Sequence, residues 1–501
     1  MNKQIIKNIL FNSLGFISNM VLMLALTPYL VDNLGVSAYG FIPLAAIFTS
    51  YIGIVTESLT ISINRNLTKA LQKKEKEIVK EVYNTSLITV FVIISIVLFL
   101  ITYPIQNLDE IISIPVGISN DVKLLFLLLI LSFLLSLISA VYSVAMYATN
   151  RIDLMQVNNL IRNIVRAFFI FLFFNYYSRD LISVGYGTLI GNVFSFIFSY
   201  IYKCKLIPYM KFEIKYFKLE KVKYIMNMGG WLLINQVGFV LFMKVDLLII
   251  NKFLGSEQSG FYAIAIQFND VLRIFAGIIS GVLGPAILIL YSQNKRERMV
   301  DLTYGFVKLL SVSIAIPIVL ICVWSDDILK YWMGGEYVFL SPLIWILTLP
   351  LIINIGIQPL FSIQVAMNKV KIPALMNVLF GLIGVLFSIY LLLYFNFGFY
   401  SVAISSVIML TLKNAVFTPI YTAKILNINV MKFMTIHIKT LLFSLISISI
   451  LFLVKKAIII CSVYELVLVL VISGIVLLML SLFFYSEKER EFYLNFIKEK
   501  V

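Results

Sequence analysis

Four polar side chains recur at helical spacing inside an apolar stretch of the sequence: Asn159, Arg162, Asn163 and Arg166. Separations of three, four and seven residues place all four on one face of an α-helix. Arginine suits an anionic phosphate or diphosphate group, because its planar guanidinium donates paired, charge-assisted hydrogen bonds. The pattern predicts a substrate-binding stripe for an anion. The alternative for Arg162 is a side chain that reaches the lipid head groups.

Two further basic residues, Arg273 and Lys413, lie deep within apolar stretches. Charged groups are costly inside a membrane, so those that persist are expected to face protein or water. We predict that Lys413, beside Asn414, faces a cavity and binds substrate. Asp270 and Arg273 share a helical face, and two interpretations stay open. Either they neutralise each other, or Arg273 binds the anion while Asp270 tunes it or carries a coupling proton.

Three acidic residues, Asp246, Asp270 and Glu57, are assigned to ion coupling or to structural ion pairs. For Glu57 we expect a salt bridge to a neighbouring helix. Lys244 and Asp246 would point about 200° apart on a continuous helix, so both cannot face one cavity. Lys308 is close enough to the predicted cytoplasmic side to extend its amine to the membrane surface.

Cofactor chemistry has little support in the sequence. Cys204, Cys322 and Cys461 are odd in number and widely scattered, which indicates neither a disulfide framework nor a metal site. The one histidine, His437, is expected to be a solvated residue at the cytoplasmic end of a span. We therefore predict no cofactor and no metal.

These residues must be positioned by membrane helices. The chain of 501 residues is 61% hydrophobic and only 13% charged, too few polar side chains to cover a soluble globule of this size. The apolar runs are continuous, which favours an all-α polytopic membrane protein over a β-barrel. Runs of about 20 apolar residues predict fourteen spans, at residues 9–31, 38–62, 82–103, 121–148, 158–177, 181–202, 225–251, 261–291, 302–324, 341–366, 372–395, 398–421, 436–454 and 462–485.

The distribution of positive charge predicts the orientation of these spans. About three quarters of the 40 Lys and Arg residues fall in or beside every second gap. Both termini are therefore expected to be cytoplasmic. The formal net charge of +15 follows from this topology and gives no reason to expect nucleic acid as a partner.

An internal repeat indicates how the spans are grouped. Residues 34–48 align without a gap with residues 254–268, and Leu, Gly, Gly, Phe, Ala and Phe coincide. Convergence of short hairpin loops on Leu-Gly is the alternative. An even number of spans separates the copies, which is typical of two parallel bundles that share a central substrate site. The predicted domains are a six-helix bundle (1–202), a basic, hinge-like linker (203–224), a second six-helix bundle (225–435), and two extra helices with a cytoplasmic tail (436–501).

Two segments resemble a known family. The run Asp246–Gly255 followed by Gly260–Ala265 is similar to the seventh-to-eighth helix signature of bacterial polysaccharide flippases in the multidrug, oligosaccharidyl-lipid and polysaccharide exporter superfamily. Thr27–Leu30 with Leu34-Gly35 resembles the first hairpin of that family. The resemblance implies export of undecaprenyl-diphosphate-linked oligosaccharide repeat units, of the O-antigen or capsule type, across the bacterial inner or plasma membrane. The mechanistic hypothesis is alternating access, in which spans one to six rock against spans seven to twelve. The implied partners are the lipid-linked oligosaccharide, membrane lipids and other polysaccharide-assembly membrane proteins.

Three rival functions would each require sequence features that differ from those of this chain. An exporter of cationic drugs would be expected to line its cleft with acids. A major-facilitator transporter would carry a Gly- and Arg-rich loop between spans two and three, where this chain has residues 65–76. A membrane glycosyltransferase, polymerase or ligase would need catalytic groups, but the outer acidic pairs Asp109-Glu110 and Asp326-Asp327 lack a nucleophile or histidine beside them. We predict that the chain is not an enzyme.

Overall fold

The computed structural model of the protein describes residues 2–220, 222, 230–281, 283–485 and 489. These residues form helices joined by short turns. The chain divides into two compact units, residues 1–263 and 264–501. The predicted domain limits at the linker and at residue 435 stay a prediction.

The first unit is built from long helices joined by short loops and two one-turn helices. Helix α11 begins in it and continues into the second unit. Its helices are α1 (Asn2–Leu34), α2 (Val36–Tyr39), α3 (Phe41–Gln72), α4 (Lys76–Gln106), α5 (Leu108–Ile111), α6 (Ser119–Ala148), α7 (Ile152–Tyr176), α8 (Leu181–Leu206), α9 (Gly230–Met243), α10 (Val245–Leu254) and α11 (Ser256–Gly281).

The second unit contains several interrupted helices. A π-helical segment, Leu412–Phe417, joins two of them. Its helices are α12 (Leu283–Ser292), α13 (Arg296–Val323), α14 (Ser325–Trp332), α15 (Ser341–Thr348), α16 (Leu351–Gly356), α17 (Gln358–Ala366), α18 (Lys371–Phe395), α19 (Phe399–Thr411), α20 (Thr418–Leu426), α21 (Met431–Ala457) and α22 (Val463–Leu482).

The protein is a multi-pass membrane protein. In the described part of the chain, eleven helical segments are long and apolar enough to cross a membrane. They coincide with the predicted spans other than the second, seventh and eighth. Helices lie at those three places too, as α3, as α9 with α10, and as α11 with α12. The exact number of fourteen, and the side on which the termini lie, stay predictions.

Helices α7 and α8 pack closely because α8 carries glycines where they meet. A Cβ atom on Gly191 would lie 2.7 Å from the carbonyl oxygen of Arg162, and one on Gly187 would lie 2.6 Å from Ile170. No larger residue fits at these positions without displacing backbone or a buried side chain. The two glycines therefore fix the helix that carries the predicted arginine stripe.

The two copies of the repeat have the same local structure and contact each other. Helices α1 and α10 each end at a glycine with positive φ, +78° at Gly35 and +91° at Gly255, the conformation in which glycine commonly ends a helix. A Cβ atom on Gly260 would lie only 2.2 Å from the Val36 carbonyl oxygen. The hydroxyl groups of Ser37 and Ser256 are 2.5 Å apart. The second glycine of each copy therefore permits the two hairpins to cross at close range.

The second unit is organised around α13, which is largely buried against α12, α16, α17, α21 and α22. The core of the second unit includes Ile314 and Ile318 of α13, Trp324 directly after α13, and Leu477 of α22. A helix buried on most sides needs apolar residues all round. This accounts for the high hydrophobicity of α13 and for the packing of the two last helices against it.

Candidate functional site

Helix α7 presents its two arginines without a carboxylate partner among the residues that the structure describes. The Arg166 Nε atom is buried and has no hydrogen-bond partner among the described residues. Arg166 lies within electrostatic range of Arg162 and of Tyr39. The Tyr39 hydroxyl is in turn 3.5 Å from the Thr27 hydroxyl. Two like charges close together, with an unused guanidinium donor, form a place where an anion would be stabilised.

The two asparagines of the stripe, Asn159 and Asn163, differ in their surroundings. The Asn163 side chain donates a hydrogen bond of 2.9 Å to the Asn19 side chain of α1. Gln156, on the same helix, lies against Gly15 of α1. Asn159 lies one turn before Asn163 and is partly buried. Polar contacts of this kind join helices in membranes, so the amide nitrogen of Asn163 is engaged in packing α7 on α1.

In the second unit, Lys413 and Arg273 lie within electrostatic range of each other. The side chain of Lys413 is only 6% exposed, and its amine lies 4.7 Å from the ring centroid of Phe361 on α17. Neither cation makes an ion pair with any residue that the structure describes. Asp270 acts on Arg273 electrostatically. Both interpretations of Asp270 and Arg273 therefore stay predictions.

The backbone around Lys413 is unusual. The π-helical segment Leu412–Phe417 interrupts the helix, and π segments occur frequently at functional sites. Asn414 in this segment donates a bond of 3.5 Å to the Asn354 carbonyl oxygen, and the Asn354 amide donates to Thr411 at 3.1 Å. The side-chain oxygens of both asparagines are buried without a partner in the described structure. The segment gathers polar groups around the Lys413 cation.

Sequence reasoning missed three residues of these clusters. Tyr39 lies in the repeat but shows no polar pattern of its own. Phe361 is one aromatic residue among 40 phenylalanines. Asn354 lies between Pro350 and Pro359, and that pair of prolines was the available signal of an interrupted helix.

Asp246 and Lys244 correct one step of the sequence reasoning. The helix is not continuous, because α9 ends at Met243 and α10 begins at Val245. The angle of about 200° between the two residues therefore does not apply. Asp246 is buried and accepts a hydrogen bond of 2.8 Å from the Tyr262 hydroxyl, which links α10 to α11. The side chain of Glu57 lies outside the described residues, so its assignment stays a prediction.

Lys308 and His437 also differ from expectation. Lys308 is 3% exposed and donates to both carboxylate oxygens of Glu489, at 2.7 and 2.8 Å. It also lies 5.4 Å from the Tyr485 ring centroid. The expected extension to the membrane surface is wrong, because a carboxylate near the end of the chain supplies the counter-charge. His437 is buried, and neither ring nitrogen has a partner among the described residues, so its predicted solvation is also wrong.

Three of the four carboxylates in the acidic pairs Asp109-Glu110 and Asp326-Asp327 pair with lysines. Asp109 pairs with Lys123 and accepts a hydrogen bond from Ser119 at 2.7 Å. The hydrogen bond from Lys123, followed by that from Ser119, lowers the pKa of the Asp109 carboxyl. Lys455 lies 3.2 Å from Asp326 and 3.3 Å from Asp327. Carboxylates that form ion pairs with lysines in this way stabilise the loops electrostatically.

Comparisons with known proteins agree with this architecture. Residues 5–290 match the family described as polysaccharide biosynthesis protein. The chain is 28% identical to the uncharacterized membrane protein EpsK of Bacillus subtilis over 83% of this chain and 82% of that protein. It is 23% identical to a putative O-antigen transporter of Shigella flexneri, over 74% of this chain and 87% of that protein.

Solved structures share the fold. The lipid II flippase MurJ, in an inward closed conformation, superposes with a TM-score of 0.68 at 16% identity, over 97% of this chain and all of that one. An inward-facing multidrug resistance MATE family transporter of the MOP superfamily superposes with a TM-score of 0.64 at 14% identity, over 80% of this chain and 94% of that one. The relatives whose names state an activity are transporters or flippases, which supports the prediction that the chain is not an enzyme.

Proposed function

Because the chain belongs to the polysaccharide biosynthesis protein family, within the MOP superfamily of flippases and exporters, we propose that it flips undecaprenyl-diphosphate-linked oligosaccharides outward across the plasma membrane. The observation that carries the proposal is the set of cations, within predicted spans, that have no carboxylate partner in the described part of the chain. Arg166 in the first unit, and Arg273 and Lys413 in the second, form no ion pair with a described residue. The names of an O-antigen transporter and a lipid II flippase among its relatives support this cargo class.

A diphosphate is the chemical group that these cations would bind. Each cation costs a few kcal/mol near the bilayer centre on insertion scales, and an anionic ligand offsets part of that cost. The arginines would donate paired hydrogen bonds to phosphate oxygens, whereas Lys413 would act as a point charge. The sugars would accompany the diphosphate, and the polyprenyl chain would stay in the bilayer.

Transport would proceed by alternating access of the two predicted six-helix bundles. An inside-negative membrane potential favours outward movement of an anion by about 2.3 kcal/mol per charge for each 100 mV. Asp246, Asp270 and Glu57 are the acidic residues proposed for ion coupling or structural pairing. Fourteen spans with cytoplasmic termini belong to the same proposal. Cysteines introduced at each terminus and labelled from either side of the membrane test on which side the termini lie.

The proposal is tested by transport of a lipid-linked oligosaccharide into vesicles that contain the purified protein. We expect Arg166→Ala, Arg273→Ala and Lys413→Ala each to lower the initial rate by about tenfold or more, the value of one charge-assisted hydrogen bond. Lys330→Ala is the matched control, because Lys330 is an exposed cation beside the Tyr331 ring. Undiminished transport in all three variants would contradict the cationic site.

Two alternatives have direct readouts. The similarity in fold to MATE transporters makes export of cationic drugs the second candidate, and it predicts that expression lowers cellular accumulation of a cationic dye. A membrane polymerase or transferase would incorporate labelled sugar when purified. We expect no fall in dye accumulation, because the cations gathered in each unit would repel a cationic cargo. We expect no sugar incorporation, because the acidic pairs Asp109-Glu110 and Asp326-Asp327 have no nucleophile or histidine beside them in the sequence.

A further inference from the structure

The loop of residues 207–219, which we name the docked loop, is fixed to the first unit by specific contacts. The buried Asn84 side chain accepts a hydrogen bond from the Glu213 backbone at 2.7 Å and donates to the Lys211 carbonyl at 3.2 Å. Thr85 accepts from the Lys218 backbone at 3.1 Å. The loop therefore has one face held against α4, which differs from the hinge-like linker that its composition suggests.

A caged lysine fixes the beginning of the loop. Lys203 is buried, and its amine lies 4.6 Å from the ring centroid of Tyr200 and 5.5 Å from those of Tyr83 and Tyr142. The same amine donates to the Met210 carbonyl at 3.2 Å. Desolvated cation–π contacts are worth about 2 kcal/mol. The first residues of the docked loop are thus firmly packed.

The opposite face of the docked loop is apolar and basic. Ile207 and Met210 are buried in the core, but Phe212, Ile214 and Leu219 are 51%, 72% and 73% exposed. Exposed lysines alternate with them at positions 211, 215 and 218. Of these, Lys215 is paired with Glu213 at 2.8 Å. Lys211 and Lys218 have no ion-pair partner among the residues that the structure describes.

The docked loop directly follows α8, which is long and apolar enough to cross a membrane. The 26 residues of α8 measure roughly 39 Å at 1.5 Å per residue, whereas the hydrocarbon core is about 30 Å thick. A membrane-spanning α8 would therefore bring its last turns, and the docked loop after them, to the head-group region. Large apolar side chains interleaved with lysines, at this depth, are typical of a segment that lies in the interface.

We propose that the docked loop binds the anionic head groups of the adjacent lipid leaflet. Lys211 and Lys218 contact lipid phosphates, and Phe212, Ile214 and Leu219 enter the upper acyl region. The lipid is an ordinary anionic phospholipid, not the transported cargo, so this inference does not rest on the proposed transport function. Charge complementarity and the fixed outward direction of the apolar side chains carry it.

The test uses a fluorophore attached to Leu219→Cys in the full-length protein. Cys204 and Cys461 are exposed and are replaced by Ser, whereas Cys322 is buried. The control is Val116→Cys, a fully exposed apolar position in another loop. Lysines near Val116 are already engaged, Lys123 by Asp109 and Lys252 by the Glu110 carbonyl oxygen.

In vesicles of phosphatidylcholine with phosphatidylglycerol, we expect acrylamide in the water to quench the label at 219 several-fold less than the label at 116. Nitroxide groups on the lipid chains should quench 219 more strongly. Both differences should shrink in pure phosphatidylcholine, and Lys211→Gln with Lys218→Gln should reduce them in anionic vesicles. An unchanged unfolding temperature in detergent shows that the double variant remains folded.

Three outcomes would overturn the inference. Equal acrylamide quenching at 219 and 116 means that the docked loop faces water. Protection from both quenchers means that protein covers it. Equal protection at 219 in neutral and anionic vesicles means that the lysines recognise no anionic head group.

Discussion

The two cationic clusters of the molecule are built in opposite ways. The α7 cluster, Arg162 and Arg166 beside Tyr39, lies on a regular helix that glycines hold close to α8. The π cluster, Arg273 and Lys413 beside Phe361, lies where one helix contains a π segment. A regular helix gives each side chain a direction that follows from its number in the sequence. A π segment changes that direction. The direction of the Lys413 side chain therefore depends on a backbone distortion and not on helical spacing alone.

The largest effect is expected from restoring regular geometry in the π cluster. Deletion of Ala415 removes the extra residue that a π turn contains. The segment then returns to regular α-helical spacing, so Lys413 and Asn414 lose the directions that the distortion gives them. We expect transport to fall at least about 100-fold, which corresponds to roughly 2.7 kcal/mol. The measurement is the initial rate of lipid-linked oligosaccharide transport in vesicles. Ala415→Ser keeps the length and should keep the rate; a functional deletion variant would show that the distortion is unnecessary.

The α7 cluster should instead be sensitive to bulk on the neighbouring helix. Gly191→Ala places a Cβ atom 2.7 Å from the Arg162 carbonyl oxygen, and overpacking of this kind costs about 1–3 kcal/mol. We expect a lower unfolding temperature in detergent and slower transport. Gly277 on α11 has no atom within 4 Å of an added Cβ, so Gly277→Ala should be neutral or stabilising. Equal stability of the two variants would remove the proposed role of Gly191.

Exchanging the two cation types compares the clusters directly. Arg166→Lys keeps the charge but loses the paired donors, and we expect about a tenfold loss of transport. Lys413→Arg forces a larger group into the closely packed site over Phe361, so its loss should be greater. Initial rates at saturating cargo, with protein amounts matched by immunoblot, show which of the two exchanges lowers transport more. Similar rates for both exchanges would mean that only net charge matters.

The smallest effect concerns a charge outside both clusters. The lowered pKa of Asp109, caused first by Lys123, means that its ionised form stabilises the folded state. This contribution is present above the ordinary pKa of 3.8 and is lost as pH falls through the lowered value. Asp109→Asn should therefore lower the unfolding temperature slightly at neutral pH. The difference from the original protein should disappear in acid; a difference that persists there would exclude this ion pair as its cause.

Prediction reaches furthest where a helix stays regular. Spacing alone predicts the stripe on α7, and the structure places its two arginines within electrostatic range of each other, while their role in binding a substrate stays a prediction. Prediction assumed a continuous helix at Lys244, where the structure has a break between α9 and α10. It could not foresee the π segment, since residues 412–417 contain neither glycine nor proline to signal a distortion.

The sequence by itself determined that this is a helical membrane protein with basic residues inside its apolar stretches. Hydrophobicity and charge are properties of each residue, and the bilayer sorts them along a single dimension. Only the tertiary structure decided which of those basic residues has a counter-charge. Lys308 meets Glu489, 181 positions away, whereas Lys413 meets an aromatic ring. Ion pairing depends on three-dimensional distance, which local sequence does not contain.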